Sequence, residues 1–196
     1  MIYLFYDELA EIDYCFLLAL YKIAQTNNGE RLKNKIQYNN IEELSKKIQA
    51  NCGGYSISTA SLYRNISSPK YKKYFSIDKE TRSILLYNDF RTGKAKENKF
   101  ITISEKECSF LLANNNNLLC KYFAYIKYYC GYNKGKGTDF TAEQFLSAIG
   151  YSSKSGNNKQ KLSLYNGLLL DNGLVNIAVY RDSKGKKRNL YTIPKQ

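Results

Sequence analysis

From Leu174 to Ile193 the chain reads LVNIAVYRDSKGKKRNLYTI, in which apolar and polar residues alternate, stop at Ser183-Lys184-Gly185, and alternate again. A period of two on both sides of a short glycine-containing turn predicts a β-hairpin. The segment before it has a helical period. From Lys159 to Asn172, a 3.6-residue projection gathers Leu162, Tyr165, Leu168 and Leu169 on one face and Lys159, Gln160, Ser163 and Asn166 on the other, with Gly173 as the stop. Further back, LLCKYFAYIKYYCG is a strongly apolar helix with Leu119, Tyr122, Phe123, Ile126 and Tyr129 at helical spacing and Gly131 at its end. GYNKGKGTD makes a loop, Thr141 with Glu143 and Gln144 opens the helix AEQFLSAIG, and YSSKSGNN is a polar turn. Before these, FITIS predicts a short strand and Ser104 to Glu107 has the S-x-x-E capping form of a short helix, followed by a loop at Asn114 to Asn117.

The first half carries the same order with weaker signals. MIYLFYDELAEIDYCFLLALYKIAQ reads as a core helix in which Asp13 can cap YCFLLALYKIAQ, and KIQYN supplies a short strand. Asn40 caps IEELSKKIQ, ANCGGYS turns, STASLYRNI is a short third helix, and YFSIDKETRSILLY is a hairpin turning at Asp78 to Thr81. Helix, helix, turn, helix and hairpin is the winged-helix plan. The expected fold is therefore α+β, mostly α, with two winged-helix modules in tandem. The first covers 1–90 and is a candidate for dimerisation, RTGKAKENK at 91–99 is a polar linker, and the second covers 100–196.

Charge sharpens this picture. The 196 residues carry a formal charge of +13, which suits a polyanionic partner, although an A- and T-rich coding composition also enriches lysine. Residues 1–99 hold 16 basic and 11 acidic side chains and residues 100–196 hold 14 and 6, so the second half is the more basic. The acidic start, with no base before Lys22, is expected to face away from DNA. Arg181, Lys184, Lys186, Lys187 and Arg188 crowd one turn against Asp182 alone. One or two charges suffice to discourage strand-edge pairing; five repel one another and point to phosphate. Five phosphate contacts would give a slope of log K against log salt of about −4 to −5.

The outer face of the third helix, Lys159, Gln160, Ser163 and Asn166, carries side chains that pair with base edges in the major groove. Ser152, Ser153, Lys154 and Asn157, at or before its start, are placed to donate to phosphate. In the first half, Ser61 and Arg64 lie opposite Leu62, Tyr63 and Ile66, and Lys70, Lys72 and Lys73 precede the hairpin; these form a secondary DNA-binding set.

Other chemistry finds little support. The chain has no histidine, which removes the commonest general base and metal ligand. Cys120 and Cys130 lie ten residues apart, about 15 Å along a helix, too far to share a zinc. GYNKGKGT fails the spacing of a phosphate-binding loop. Asp139 and Glu143 read as helix-start residues rather than an acid–base pair, and the 19 tyrosines as core rather than nucleophiles. No catalytic residue, metal or cofactor is expected. The five cysteines, without a C-x-x-C pair or a signal peptide, read as reduced and mostly buried thiols of a cytoplasmic protein. The uncharged run from Tyr14 to Tyr21 falls far short of the roughly 20 residues that span a bilayer, so no membrane role is expected.

NGLV, Asn172 to Val175, followed by a basic turn and RNLYTI, Arg188 to Ile193, resembles the end of the winged-helix domain in plasmid and phage replication initiators and primosome-type proteins of low-GC bacteria. FAYIKYYCG followed by TAEQFLSAIGYS is similar to their first two helices. The resemblance covers about 100–193, and 13–88 faintly. It implies duplex DNA binding through Lys159 to Asn166 and Arg181 to Arg188 at a replication origin or mobile-element site, with one module free for homodimerisation and contacts to replication machinery. A transcription regulator of the same architecture, and a protein-interaction module that inhibits a nucleic-acid enzyme, are the alternatives. At 196 residues the chain is short for a full initiator, which counts against the replication role specifically.

Overall fold

A computed structural model describes residues 2–6, 9–26, 34–87, 100–152, 154 and 156–194. The fold is α+β, with about half of the described residues helical and three small sheets. The described residues fall into two compact units, one within 2–4, 12–87 and 102–117, the other within 5–11, 100–101 and 118–194. The expected linker 91–99 lies outside the described residues.

In the first unit, helix α1 (Tyr14–Thr26) is buried almost all round, as a helix apolar on every face must be. Its first turn is capped by Asp13, whose Oδ1 accepts from the Phe16 N–H at 3.1 Å. Strand β2 (Lys35–Gln37) leads to α2 (Ile41–Asn51), capped by Asn40 at the Glu43 N–H, and then to α3 (Thr59–Ser67), capped by Ser58 at the Ser61 N–H. Strands β3 (Phe75–Asp78) and β4 (Ser83–Leu86) form an antiparallel hairpin, and β2 joins it on the β4 side, giving the order β2-β4-β3. Phe16, Tyr71 and Phe75 pack ring against ring beneath this sheet.

Strand β1 and helix α4 differ from the sequence expectation. Ile2–Phe5 is strand β1, hydrogen-bonded to β5 (Phe100–Ile103), not part of a helix. A four-residue apolar run has no period that separates strand from helix, so the partner strand decides. Helix α4 (Glu105–Ala113) has the full capping box at Ser104 and Glu107, yet it packs in the first unit rather than the second. Lys22 of α1 is paired with Glu105 at 3.0 Å, and the Cys108 thiol points at the Leu18 carbonyl.

The second unit repeats the order of the first. Helix α5 (Asn117–Tyr132) buries Leu119, Tyr122, Phe123 and Ile126, while Tyr129 is half-buried. The helix runs through Gly131; the chain reverses at Lys134 and Gly135, where the Gly135 N–H returns to the Cys130 carbonyl at 2.9 Å. The segment expected as a loop contains strand β6 (Thr138–Asp139), paired antiparallel with β8 (Lys187–Thr192). Gly137 permits this approach. Its φ is 87°, and a Cβ there would stand 2.8 Å from both the Tyr191 carbonyl oxygen and the Thr192 methyl.

Helix α6 (Ala142–Ala148) has a capping box between Thr141 and Gln144. Helix α7 (Gly156–Asp171) begins three residues before the expected Lys159 and is closed by Gly173, with φ of 64°. Strand β7 (Asn176–Arg181) pairs with β8 from Asn176–Thr192 to Arg181–Lys187, and the sheet order is β6-β8-β7. Both units therefore run helix, strand, helix, helix, strand, strand, with the third strand between the other two.

Candidate nucleic-acid interface

The exposed face of the second unit is built by α7 and the β7–β8 hairpin. Leu162, Tyr165 and Leu169 are buried and Leu168 is half-buried, so the apolar stripe of α7 holds the helix onto α5 and the sheet. Lys159, Gln160 and Ser163 are exposed on the opposite side, together with Lys154 and Asn157 near the helix start; Ser153 lies outside the described residues. Lys161, not singled out from sequence, is exposed beside them.

The side chains on this face are not equivalent. The Lys159 ammonium is paired with Glu143 of α6 at 2.5 Å. This hydrogen bond, more than any other influence, pulls the Glu143 carboxyl down to about 2. Asn166 is half-buried. It accepts from the Tyr122 hydroxyl at 2.8 Å and donates to the Tyr191 hydroxyl at 3.3 Å, and the two hydroxyls are 2.9 Å apart. These three contacts close a ring that uses the Oδ1–Nδ2 edge of the amide, the same edge an asparagine offers to adenine. Asn166 thus joins α7 to α5 and β8, and its base-reading edge is occupied.

Burial and the adjacent Tyr191 hydroxyl push the Tyr122 hydroxyl well above the ordinary phenol value. Proton counting then fixes a neighbour. The Tyr191 hydroxyl has its one hydrogen committed, and Asn189 Nδ2, 3.2 Å away, must donate to it.

At the hairpin tip one carboxylate organises the turn. Asp182 Oδ1 accepts from the Lys184 and Lys186 N–H groups at 2.9 Å each, and Oδ2 accepts from Arg188 Nε at 3.0 Å. The hydrogen bond from Arg188 leads the influences that hold the Asp182 carboxyl below its usual range. The guanidinium of Arg181 donates to the Gly185 carbonyl at 2.8 Å. Of the five basic residues, Arg188 is therefore charge-paired within the turn. Lys184, Lys186 and Lys187 are exposed and have no acidic partner within 4.0 Å among the described residues.

Register places Lys187, Asn189 and Tyr191 on the face of β8 that looks toward α7, because side chains of a strand alternate. A groove of about 430 Å³ runs between them and the helix; Ser163, Phe140 and Lys186 also line it. Asn189 and Phe140 are the residues that sequence reasoning missed. The alternation shared with buried Tyr191 was a signal for Asn189, whereas Phe140 needed the strand β6 that brings it beside β8.

The first unit presents a different surface. Arg64 is exposed and donates to Ser61 Oγ at 3.2 Å, with Ser61 half-buried. Lys70 lies over the Tyr71 ring at 5.3 Å, and Lys72 and Lys73 are exposed. Tyr63, expected on the inner face with Leu62 and Ile66, is 63% exposed, one position round the helix from the stripe those two residues bury. The hairpin tip is held by Asp78, which accepts from the Glu80 and Thr81 N–H groups, and has no basic excess between Asp78 and Arg82.

The five cysteines are free and buried. Burial pushes the Cys52 and Cys108 thiols up to about 12 and Cys130 to about 11. Among the described residues, no group of three or more acidic or sulfur ligands is placed to hold a metal, and no helix is long and apolar enough to cross a membrane. No protein-family model, curated protein or solved structure matches the chain.

Proposed function

We propose that the chain is a tandem winged-helix protein that binds duplex DNA sequence-specifically, at a replication origin or a mobile-element site. The observation that carries this reading is the hairpin tip of the second unit. Three lysines without acidic partners among the described residues project from a turn tied by Asp182, beside an α7 face that exposes Gln160 and Ser163. The helix enters the major groove, where Gln160 and Ser163 meet base edges, and the hairpin lies on the flanking phosphates. Lys159 exchanges Glu143 for phosphate on docking, and Lys154 and Asn157 add backbone contacts. The repeated strand order of the two units supports a tandem module.

The first unit serves self-association in this scheme. Its hairpin tip lacks basic excess, and elsewhere in the unit Tyr63, Leu85 and Tyr87 are exposed at 63%, 46% and 39%. Selection of bound sequences from a random duplex pool by the purified protein tests the reading and yields the site. Recovery of a pool indistinguishable from the input would refute it, and sites that overlap promoters rather than repeat within an origin would move the protein to transcription regulation.

A further inference from the structure

The groove between α7 and β8 is more than a phosphate seat requires. Phosphate needs cationic and N–H donors on a rim, and Lys186 and Lys187 supply that. Beneath the rim lie Phe140, half-buried and stacked on Tyr191 at 4.8 Å, and the apolar edge of Leu162. A phosphate makes no use of an apolar, aromatic floor. The volume of about 430 Å³ falls in the range of pockets that enclose a whole small ligand, about 300–1,000 Å³.

The polar group beside this floor has a fixed orientation. Because the Tyr122–Tyr191–Asn166 ring uses the hydrogen of Tyr191, Asn189 turns its amide nitrogen to that hydroxyl, and its Oδ1 has no protein partner among the described residues. A pre-oriented acceptor beside an aromatic floor, under a cationic rim, matches a nucleotide: base on the floor, amino group to Asn189, phosphate on the lysines.

We propose that this groove is a subsite for one unpaired nucleotide. It rests on the DNA-binding reading for its setting, with α7 and the hairpin delivering the strand, but its chemistry would serve a free deoxynucleotide equally. The site predicts that the protein prefers DNA in which one base is available to leave the stack, since an unpaired base costs least to extract.

The test uses the full chain and fluorescence anisotropy with three DNAs: a paired duplex, the same duplex with a single-adenine bulge, and one with an abasic bulge at that position. Base packing on an aromatic floor is expected to favour the adenine over the abasic bulge by about 5- to 150-fold. F140L, which keeps apolar volume, and N189S, at a half-exposed position, should each bring that ratio toward one. Calorimetry with dAMP alone distinguishes the source: saturable binding lost in N189S, without a bulge preference, makes a free nucleotide the occupant. Equal affinity for the two bulges and no saturable dAMP binding would overturn the subsite. Tight binding of the paired duplex in that same outcome would leave the DNA-binding reading intact, whereas failure on all three DNAs together with no dAMP binding would remove both.

Discussion

Replacing Lys184, Lys186 and Lys187 with alanine removes charge from the hairpin tip without touching the carboxylate that shapes it. Asp182 takes two backbone N–H groups and the Arg188 side chain, none of which the substitutions delete. The turn should therefore persist. Five basic residues suggested five phosphate contacts, but Arg188 is charge-paired with Asp182 and Arg181 is bonded to Gly185, which leaves three uncommitted cations. Each lysine that neutralises a phosphate contributes about 0.9 to the salt slope, so the triple variant should lose about 2.7. Between 50 and 200 mM salt, wild type should lose affinity about 40-fold more steeply than the variant. Anisotropy titrations on one duplex at three salt concentrations read this directly. An unchanged slope in a variant with wild-type circular dichroism would refute the assignment of the hairpin to phosphate.

Other consequences separate structure from recognition. N166A takes the acceptor from the buried Tyr122 hydroxyl and one of the donors from Tyr191 and should lower stability by about 1–3 kcal/mol in chemical denaturation, whereas Q160A should relax base preference in selection with little effect on stability. The Glu143 carboxyl, held at about 2 by Lys159, contributes stability that is present above its unfolded value near 4.5 and is lost as pH falls toward 2. In K159M a carbon-detected NMR titration of Glu143 should return to the ordinary carboxylate range; a midpoint still near 2 would remove the pairing as its cause. Native protein at pH 8 should react slowly with a thiol reagent and release five equivalents in denaturant, because all five cysteines are buried and reduced.

Caps and periods made most elements legible. Asn40, Ser104 and Thr141 stop the preceding backbone with a side-chain acceptor, and each begins a helix where it was expected. The failures share a cause. Strands β1 and β6 are four and two residues long, too short to carry a period, and exist because a partner strand lies alongside. The same is true of the candidate site. The outward set Lys159, Gln160 and Ser163 follows from helical phase, but the difference between Lys159, paired with Glu143, and Gln160 depends on where α6 lies. Helical phase alone places Asn166 on the base-facing side, whereas its amide edge is taken by tyrosines 44 and 25 residues away in sequence.

Sequence by itself determined which faces are apolar, where helices start, and that one turn gathers five basic residues, since these depend on neighbours within one or two turns of chain. Tertiary structure alone decided that α4 packs with the first unit, and that β6 brings Phe140 to the groove. It also decided which charges remain uncommitted. Hydrogen-bond valence is filled by whatever partner folding brings within about 3 Å, and nothing in the local pattern of a strand or helix records which partner that will be.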